Sequence, residues 1–366
     1  MTATAEYDLS TLREMTTTFF AEQAPALALL EATDRVSGFS RGLYKAMADL
    51  DFFRLALPTS VGGLGQAADA CGTVWESAGY ELVSGPWLDQ LLSIEMIATQ
   101  PGCTELLEGL SSGKLLAAVA FIDGGSALNF DSGSNTVSGK VRSLGFADQV
   151  DLWVLAVSEA DTDGAAYIAV IDPDSDGIVQ GPLVQSLDPQ WYTASPELAS
   201  VAPRLVFPWP GDDCVAHLAF AMGLSAAYSI GASQRLLTDA VSYVKQRQQF
   251  GKPVGAFQAV KHRAANAFTD LVHTRALVHA ALVSGESHQL RLAKVAADRC
   301  YRSTAESALQ MHGGIGFTAE SLVHFFLKNA HRIRDWPESV DTQLETIRRE
   351  LGLNDQREEV GAHHGI

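Results

Sequence analysis

Arg247-Gln248-Gln249-Phe250-Gly251-Lys252-Pro253-Val254-Gly255-Ala256-Phe257-Gln258 and Gln310-Met311-His312-Gly313-Gly314-Ile315-Gly316-Phe317 are the two stretches on which the reading of this chain turns. Each follows a long run of helical character and closes on glycine, so each reads as a loop at a helix end. Arg247 offers a planar fork of donors suited to a phosphate. Phe250 can pack on a flat ring. Gln310 and the bare backbone of Gly313 and Gly314 can approach an extended ligand without side-chain obstruction. The plainer alternative is a glycine cap beside an exposed arginine.

Working outward, Asp212 to Val244 is rich in Ala, Gly and Ser, which lets helices approach closely. Gln258 to Val283 and Glu286 to Met311 read as two further long helices. Val340, Leu344, Ile347 and Leu351 fall on one face of a final helix. Residues 211–353 are therefore expected to be a helical C-terminal domain, followed by a frayed polar tail over 354–366. Upstream, 1–114 reads as an N-terminal helical domain, with Leu43, Met47, Leu50 and Phe53 at helical steps and a loop from Leu57-Pro58 to Gly65. Between them, 115–210 turns to short β-prone runs. Trp153–Val157 and Ala166–Ile171 flank Asp161-Thr162-Asp163-Gly164 as a hairpin, and Thr136–Leu144 reads as a strand with a turn at Ser138-Gly139-Lys140.

Composition narrows the function. The chain has 366 residues, with 43 acidic against 26 basic side chains and a formal net charge of −17. That balance is opposite to the footprint of a nucleic-acid binder. The longest apolar stretch, Leu115 to Ile122, is too short for a bilayer. The first residues lack a basic start followed by an apolar core, so the expectation is a soluble cytoplasmic protein. Cys71, Cys103, Cys214 and Cys300 are scattered, without CxxC spacing or a disulfide pattern. Asp172-Pro173-Asp174-Ser175-Asp176-Gly177 imitates the start of a calcium loop, but Leu183 stands where the twelfth-position carboxylate belongs. His363 and His364 have no further ligands nearby, and no metal site is expected.

Taken together, the RxxFGxxxxxxQ and QxxGGxGF motifs, in this order and at this separation, resemble the acyl-CoA dehydrogenase family. The Pro58 to Gly65 loop and the helix–strand–helix order agree, so the resemblance spans nearly the whole chain. It implies an α+β fold: an N-terminal helical domain, a middle β-barrel-like domain and a C-terminal four-helix bundle. It implies FAD at a subunit interface, with Arg247 on the pyrophosphate, Phe250 beside the cofactor, Gln258 closing the motif, and Gln310, Gly313 and Gly314 at the adenosine end. The implied reaction is α,β-dehydrogenation of an acyl-CoA thioester, with electrons passed to an electron-transfer flavoprotein.

The chain departs from the family where the chemistry should be. Aligned from the second motif, Asp335-Trp336-Pro337-Glu338-Ser339 covers the loop of the catalytic glutamate, and Pro337 takes its place. Glu338, one residue late, reads as a helix-start residue favoured by the dipole. The alternative location, Leu218 to Leu224, contains no carboxylate. In the middle domain the flavin-contacting segments are altered to Phe121-Ile122-Asp123-Gly124-Gly125-Ser126 and Val141-Arg142-Ser143. The expectation is therefore no catalytic residue in this chain. It would complete the FAD site of a second acyl-CoA dehydrogenase subunit in an α2β2 heterotetramer, of the kind that acts on steroid side-chain CoA esters. The alternatives are a self-sufficient homo-oligomer using Glu338 or another carboxylate, and a non-enzymatic descendant binding a CoA ester or a protein.

Overall fold

A computed structural model describes residues 8–31, 39–121, 128–159 and 166–353. The tail with His363 and His364, the hairpin turn at Asp161-Thr162-Asp163-Gly164, and Ile122-Asp123-Gly124-Gly125-Ser126 lie outside the described residues.

Five helices come first: α1 (Leu9–Gln23), α2 (Arg41–Asp49), α3 (Ala68–Tyr80), α4 (Trp87–Ala98) and α5 (Thr104–Ser111). Asp8 and Ser40 cap α1 and α2 by accepting from Ser10 N at 3.0 Å and Leu43 N at 3.1 Å. The strands follow: β1 (Ala117–Ala120), β2 (Leu128–Asp131), β3 (Thr136–Lys140), β4 (Leu144–Gly145), β5 (Leu152–Glu159), β6 (Ala166–Ile171), β7 (Ile178–Val179), β8 (Val184–Gln185), β9 (Tyr192–Ala194), β10 (Glu197–Val201) and β11 (Leu205–Pro208). They form a curled sheet in the order β11-β6-β5-β2-β3-β10-β7, with β1 also on β5, and a small sheet β4-β9-β8. The β5–β6 hairpin pairs antiparallel, Leu155 opposite Ala169. Ser138-Gly139-Lys140 is not a turn: it continues β3, with Gly139 opposite both Leu128 and Leu198. Gly139 has φ 129°, and β10 is irregular between Leu198 and Val201, so the glycine accommodates a local distortion inside the ladder.

The C-terminal helices are α6 (Gly211–Gln246), α7 (Gln258–Ser284), α8 (Ser287–His312), α9 (Val323–Ile333) and α10 (Val340–Glu350). The Ala/Gly/Ser content of α6 sets how closely it meets α3. A Cβ on Gly231 would lie 1.8 Å from Glu76 O, and one on Gly79 would lie 2.0 Å from Tyr228 O. Around this contact Trp75, Trp87 and Tyr228 stack at 4.2 and 5.1 Å, and Tyr228 donates to Val83 O at 3.0 Å. These contacts dock the N-terminal helices on the bundle. Gln90 of α4 joins the helices to the sheet. Its Nε2 donates to Leu110 O and Leu115 O, and its Oε1 accepts from Ala117 N, so the buried carboxamide is well satisfied. Although α6 is long and apolar enough to cross a membrane, 72% of its most apolar window is buried, which makes it a core helix.

The expected apolar stripe of α10 is not its buried face. Of the four residues only Ile347 is buried, beside Gln343 and Thr346, while Leu344 and Leu351 are exposed. Gln343 donates to Glu338 O at 2.8 Å, so polar anchoring to the preceding loop sets the rotation of this helix.

Candidate functional site

Both motifs fold to the same end of the bundle. Arg247 caps α6, and the chain reverses through a two-residue hairpin between β12 (Gln248–Gln249) and β13 (Lys252–Pro253). Its central residues, Phe250 and Gly251, have φ 53° and 77°, the left-handed pair that a type I′ turn requires. Such a conformation suits glycine but costs a bulky residue roughly 1–2 kcal/mol. Phe250 is nevertheless 90% exposed and recovers little by packing within the chain. Among the described residues its ring meets the edge of Phe257 at 6.3 Å. A strained, solvent-facing aromatic is the arrangement expected of a contact made to something else.

Tyr243, one turn before Arg247, stacks on His312 at 4.6 Å and 20°. His312 Nδ1 donates to Ala308 O at 2.8 Å, which holds the ring. This stack joins the end of α6 to the end of α8 and so brings the two motifs together. Gln310 is exposed, Gly313 has φ 63°, and a Cβ on Gly313 or Gly314 would meet nothing within 4 Å. Gln258 opens α7 with its side chain exposed. This end therefore presents a guanidinium, an aromatic face, two carboxamides and open backbone. That donor set fits the phosphate and adenosine portion of a dinucleotide cofactor.

The interior, where the sheet, α4 and α9 converge, is the opposite. Arg332 lies over Trp191 at 4.0 Å and donates from Nε to Asp188 Oδ2 at 3.1 Å. Asn329 donates to the same oxygen at 2.9 Å. Trp191 also packs on Phe146 at 4.5 Å, while Phe121 packs on Trp209 and Trp336 at 6.1 and 6.4 Å. Among Gly85, Trp87, Asp89, Trp191, Arg332 and Trp336 there remains a cavity of about 10 Å³, room for one water at most. Val141, in the altered Val141-Arg142-Ser143 segment, is fully buried. The described side chains here pack against one another and leave little room between them.

Of the carboxylates near this interior, Asp188 and Glu338 are each paired with an arginine. Glu338 is not in the first turn of α10, which Ser339 caps by accepting from Thr342 N at 3.2 Å. It instead pairs at 2.6 Å with Arg291, whose side chain is only 2% exposed. Its charge compensates a buried guanidinium, a role set by a residue 47 positions earlier rather than by the helix dipole. Leu218 to Leu224 is apolar and mostly buried. Asp89, which sequence reasoning did not single out, faces the small cavity. Its Oδ1 accepts from Val119 N at 3.2 Å, and burial pushes its carboxyl up to about 7, against the opposing pull of that hydrogen bond and of Arg332. The available signal was a lone acid inside the apolar run Trp87-Leu88-Asp89-Gln90-Leu91-Leu92.

Comparison with known proteins agrees with this architecture. Residues 7–101 match the acyl-CoA dehydrogenase N-terminal domain and 216–352 match the C-terminal domain of the same family. The chain is 28% identical to the acyl-CoA dehydrogenase IpdE2 of Mycolicibacterium smegmatis, over 87% of this chain and 91% of that protein. In fold it resembles the Tcur3481-Tcur3483 steroid ACAD, with a TM-score of 0.82 at 20% identity, covering 94% of this chain and 98% of that one. It likewise resembles a chain of the ChsE4-ChsE5 complex of Mycobacterium tuberculosis, with a TM-score of 0.83 at 19% identity over 96% and 99%. The chain belongs to the acyl-CoA dehydrogenase family of FAD-dependent oxidoreductases.

Proposed function

We propose that this chain is the non-catalytic subunit of a heteromeric acyl-CoA dehydrogenase, completing the FAD site of a partner subunit that carries the base. The observation that carries this reading is the contrast within the interior. Alignment from the second motif puts Pro337 at the glutamate position, Glu338 is held by Arg291, and the cavity beside Asp89, about 10 Å³, is too small for an acyl chain. Bound FAD supplies the two-electron acceptor for α,β-dehydrogenation. This chain's part is positional. Arg247 holds the pyrophosphate by charge-assisted hydrogen bonds, and Phe250 packs beside the cofactor. Gln258 and Gln310 offer amide groups, and Gly313 and Gly314 let the backbone come close. The assembly is an α2β2 heterotetramer, with two complete FAD sites, that works in the cytoplasm and passes electrons to an electron-transfer flavoprotein. The fold shared with a steroid ACAD and with a two-component complex supports a steroid side-chain CoA ester as substrate.

Asp89 favours a second reading, a self-sufficient dehydrogenase, because a carboxyl poised near 7 suits a general base. The filled interior weighs against it. Expressed alone, the chain should be colourless and inactive on acyl-CoA. Co-expressed with a glutamate-bearing dehydrogenase subunit, it should yield a yellow, active complex. A yellow and active preparation of this chain alone would establish the second reading.

A further inference from the structure

A separate cavity, of about 200 Å³, opens among the N-terminal helices. There the end of α1, the 3-10 turn Ala26–Leu30, the start of α2 and the turn after α3 meet the loop between β8 and β9. Ala28 and Ser40 are exposed and mark its mouth, while Leu29, Leu43 and Val83 are buried along its walls. Gln190 also lines it and is only 1% exposed.

The backbone of Gln190 is fixed. Its N–H donates to Asp188 Oδ1 at 3.1 Å, and its carbonyl accepts from Ser84 Oγ at 3.4 Å. Its side chain is not: Nε2 and Oε1 are both buried, and neither has a hydrogen-bond partner. Gln90 shows the ordinary arrangement in the same chain, with donor and acceptor both bonded. A buried carboxamide left unpaired at both atoms is costly, and a ligand that bonds to both would relieve the cost. The charge on the cavity wall is already neutralised, since Glu81 Oε2 accepts from Ala26 N and pairs with Arg235, each at 2.9 Å. A charged ligand would find no counter-charge there. Leu82, also in the wall, ends α3 with φ 53°, where glycine is the usual residue. That strained backbone is kept at a position whose side chain forms the cavity.

We propose that this cavity binds a small neutral molecule with a flat apolar body and an amide edge, a donor beside an acceptor, that pairs with Oε1 and Nε2 of Gln190. An anion offers acceptors alone and a hydrocarbon offers neither, so each leaves part of the carboxamide unpaired. An apolar cavity of about 150 Å³ takes benzene, so one substituted ring fits here. The proposal is independent of the subunit reading, because none of these residues belongs to either motif.

The test is titration of the full chain with benzamide, benzoate and toluene, followed by ligand-observed NMR. Benzamide should bind about tenfold or more tightly than the other two, with a Kd of about 1 mM or below. Gln190→Leu should weaken benzamide about tenfold and bring the three ligands together. It should also melt about 1–3 °C above the parent, since it removes two unpaired buried groups. Ala28→Phe, at the mouth, should exclude all three ligands and leave the melting temperature unchanged. Equal affinity for the three ligands in the parent, no benzamide binding up to about 10 mM, or parental benzamide affinity in either variant would overturn the proposal. A lower melting temperature for Gln190→Leu would overturn it as well, by showing that the carboxamide is already bonded.

Discussion

The two places where this chain could do chemistry differ in how their groups are satisfied. At the end of the bundle, Arg247, Phe250 and Gln310 are exposed, and Phe250 is held in a left-handed backbone conformation that internal packing does not repay. In the interior, Arg332, Asp188, Asn329 and Trp191 bond or stack among themselves, and Arg291 is neutralised by Glu338. One region leaves its interactions to be completed from outside, and the other has closed on itself. In an enzyme whose sites are built across subunits, the two halves of a site can diverge separately. The proposed subunit role predicts that the half facing a neighbour has kept its form while the half serving this chain has not.

Substitutions in the two regions should therefore fail in different ways. The largest effect is expected at Glu338. Glu338→Gln removes the nearer of two carboxylates around the buried Arg291 guanidinium, leaving Glu350 at 4.0 Å, and losing one partner of such a pair costs up to about 3–5 kcal/mol. Denaturant unfolding should show that loss, and Arg291→Met/Glu338→Leu should recover much of it. A Glu338→Gln protein of normal stability whose assembled complex has lost turnover would instead make Glu338 catalytic and erase the contrast.

Asp89 should give the interior a pH signature. Its folded-state value of about 7 lies above the ordinary 3.8, so the folded protein keeps a proton that the unfolded chain releases. Its contribution is fully present below the ordinary value and is lost as pH rises toward 7, at up to about 1.4 kcal/mol per pH unit. Asp89→Asn retains the acceptor for Val119 N–H and should flatten this slope, making the variant the more stable of the two at pH 8. Glu95, also pushed up to about 7 by burial, leaves a residual slope in both proteins. Identical pH profiles for Asp89→Asn and the parent would show that the carboxyl is not held neutral.

At the open end the effects should fall on the ligand instead. Arg247→Ala removes a charge-assisted hydrogen bond worth roughly 1.5–3 kcal/mol, about ten- to a hundredfold in FAD affinity, with unfolding unchanged. Flavin absorbance per protein after desalting measures this. The smallest effect, in the opposite sense, is expected at the hairpin. Phe250→Gly relieves the left-handed backbone and should stabilise the isolated chain by up to about 1 kcal/mol, while the assembled complex retains less flavin. A destabilised Phe250→Gly chain would mean that the ring serves this chain's own packing.

Local patterns made much of this fold readable in advance. The long C-terminal helices begin and end where periodicity and glycine predict, and the β5–β6 hairpin pairs as its alternation suggests. What escaped was set by distant contacts. Glu338 looked like a dipole-favoured helix start because Arg291 is not its neighbour in sequence. Gly139 looked like a turn because a distorted strand also uses glycine. The α10 stripe was apolar but not buried, since Gln343 bonding to Glu338 O orients that helix. The six residues of the two motifs could be named from sequence, but their shared end depends on the Tyr243–His312 stack, which no spacing reveals.

The central claim, that this chain completes a partner's cofactor site and has none of its own, is tested most directly by counting flavin. Size-exclusion chromatography of the chain co-expressed with a glutamate-bearing dehydrogenase subunit, with FAD quantified in the eluted peak, should give an α2β2 tetramer. By the symmetry of such an assembly it should carry about two FAD rather than four. A homotetramer of this chain, yellow and with one FAD per subunit, would contradict the account.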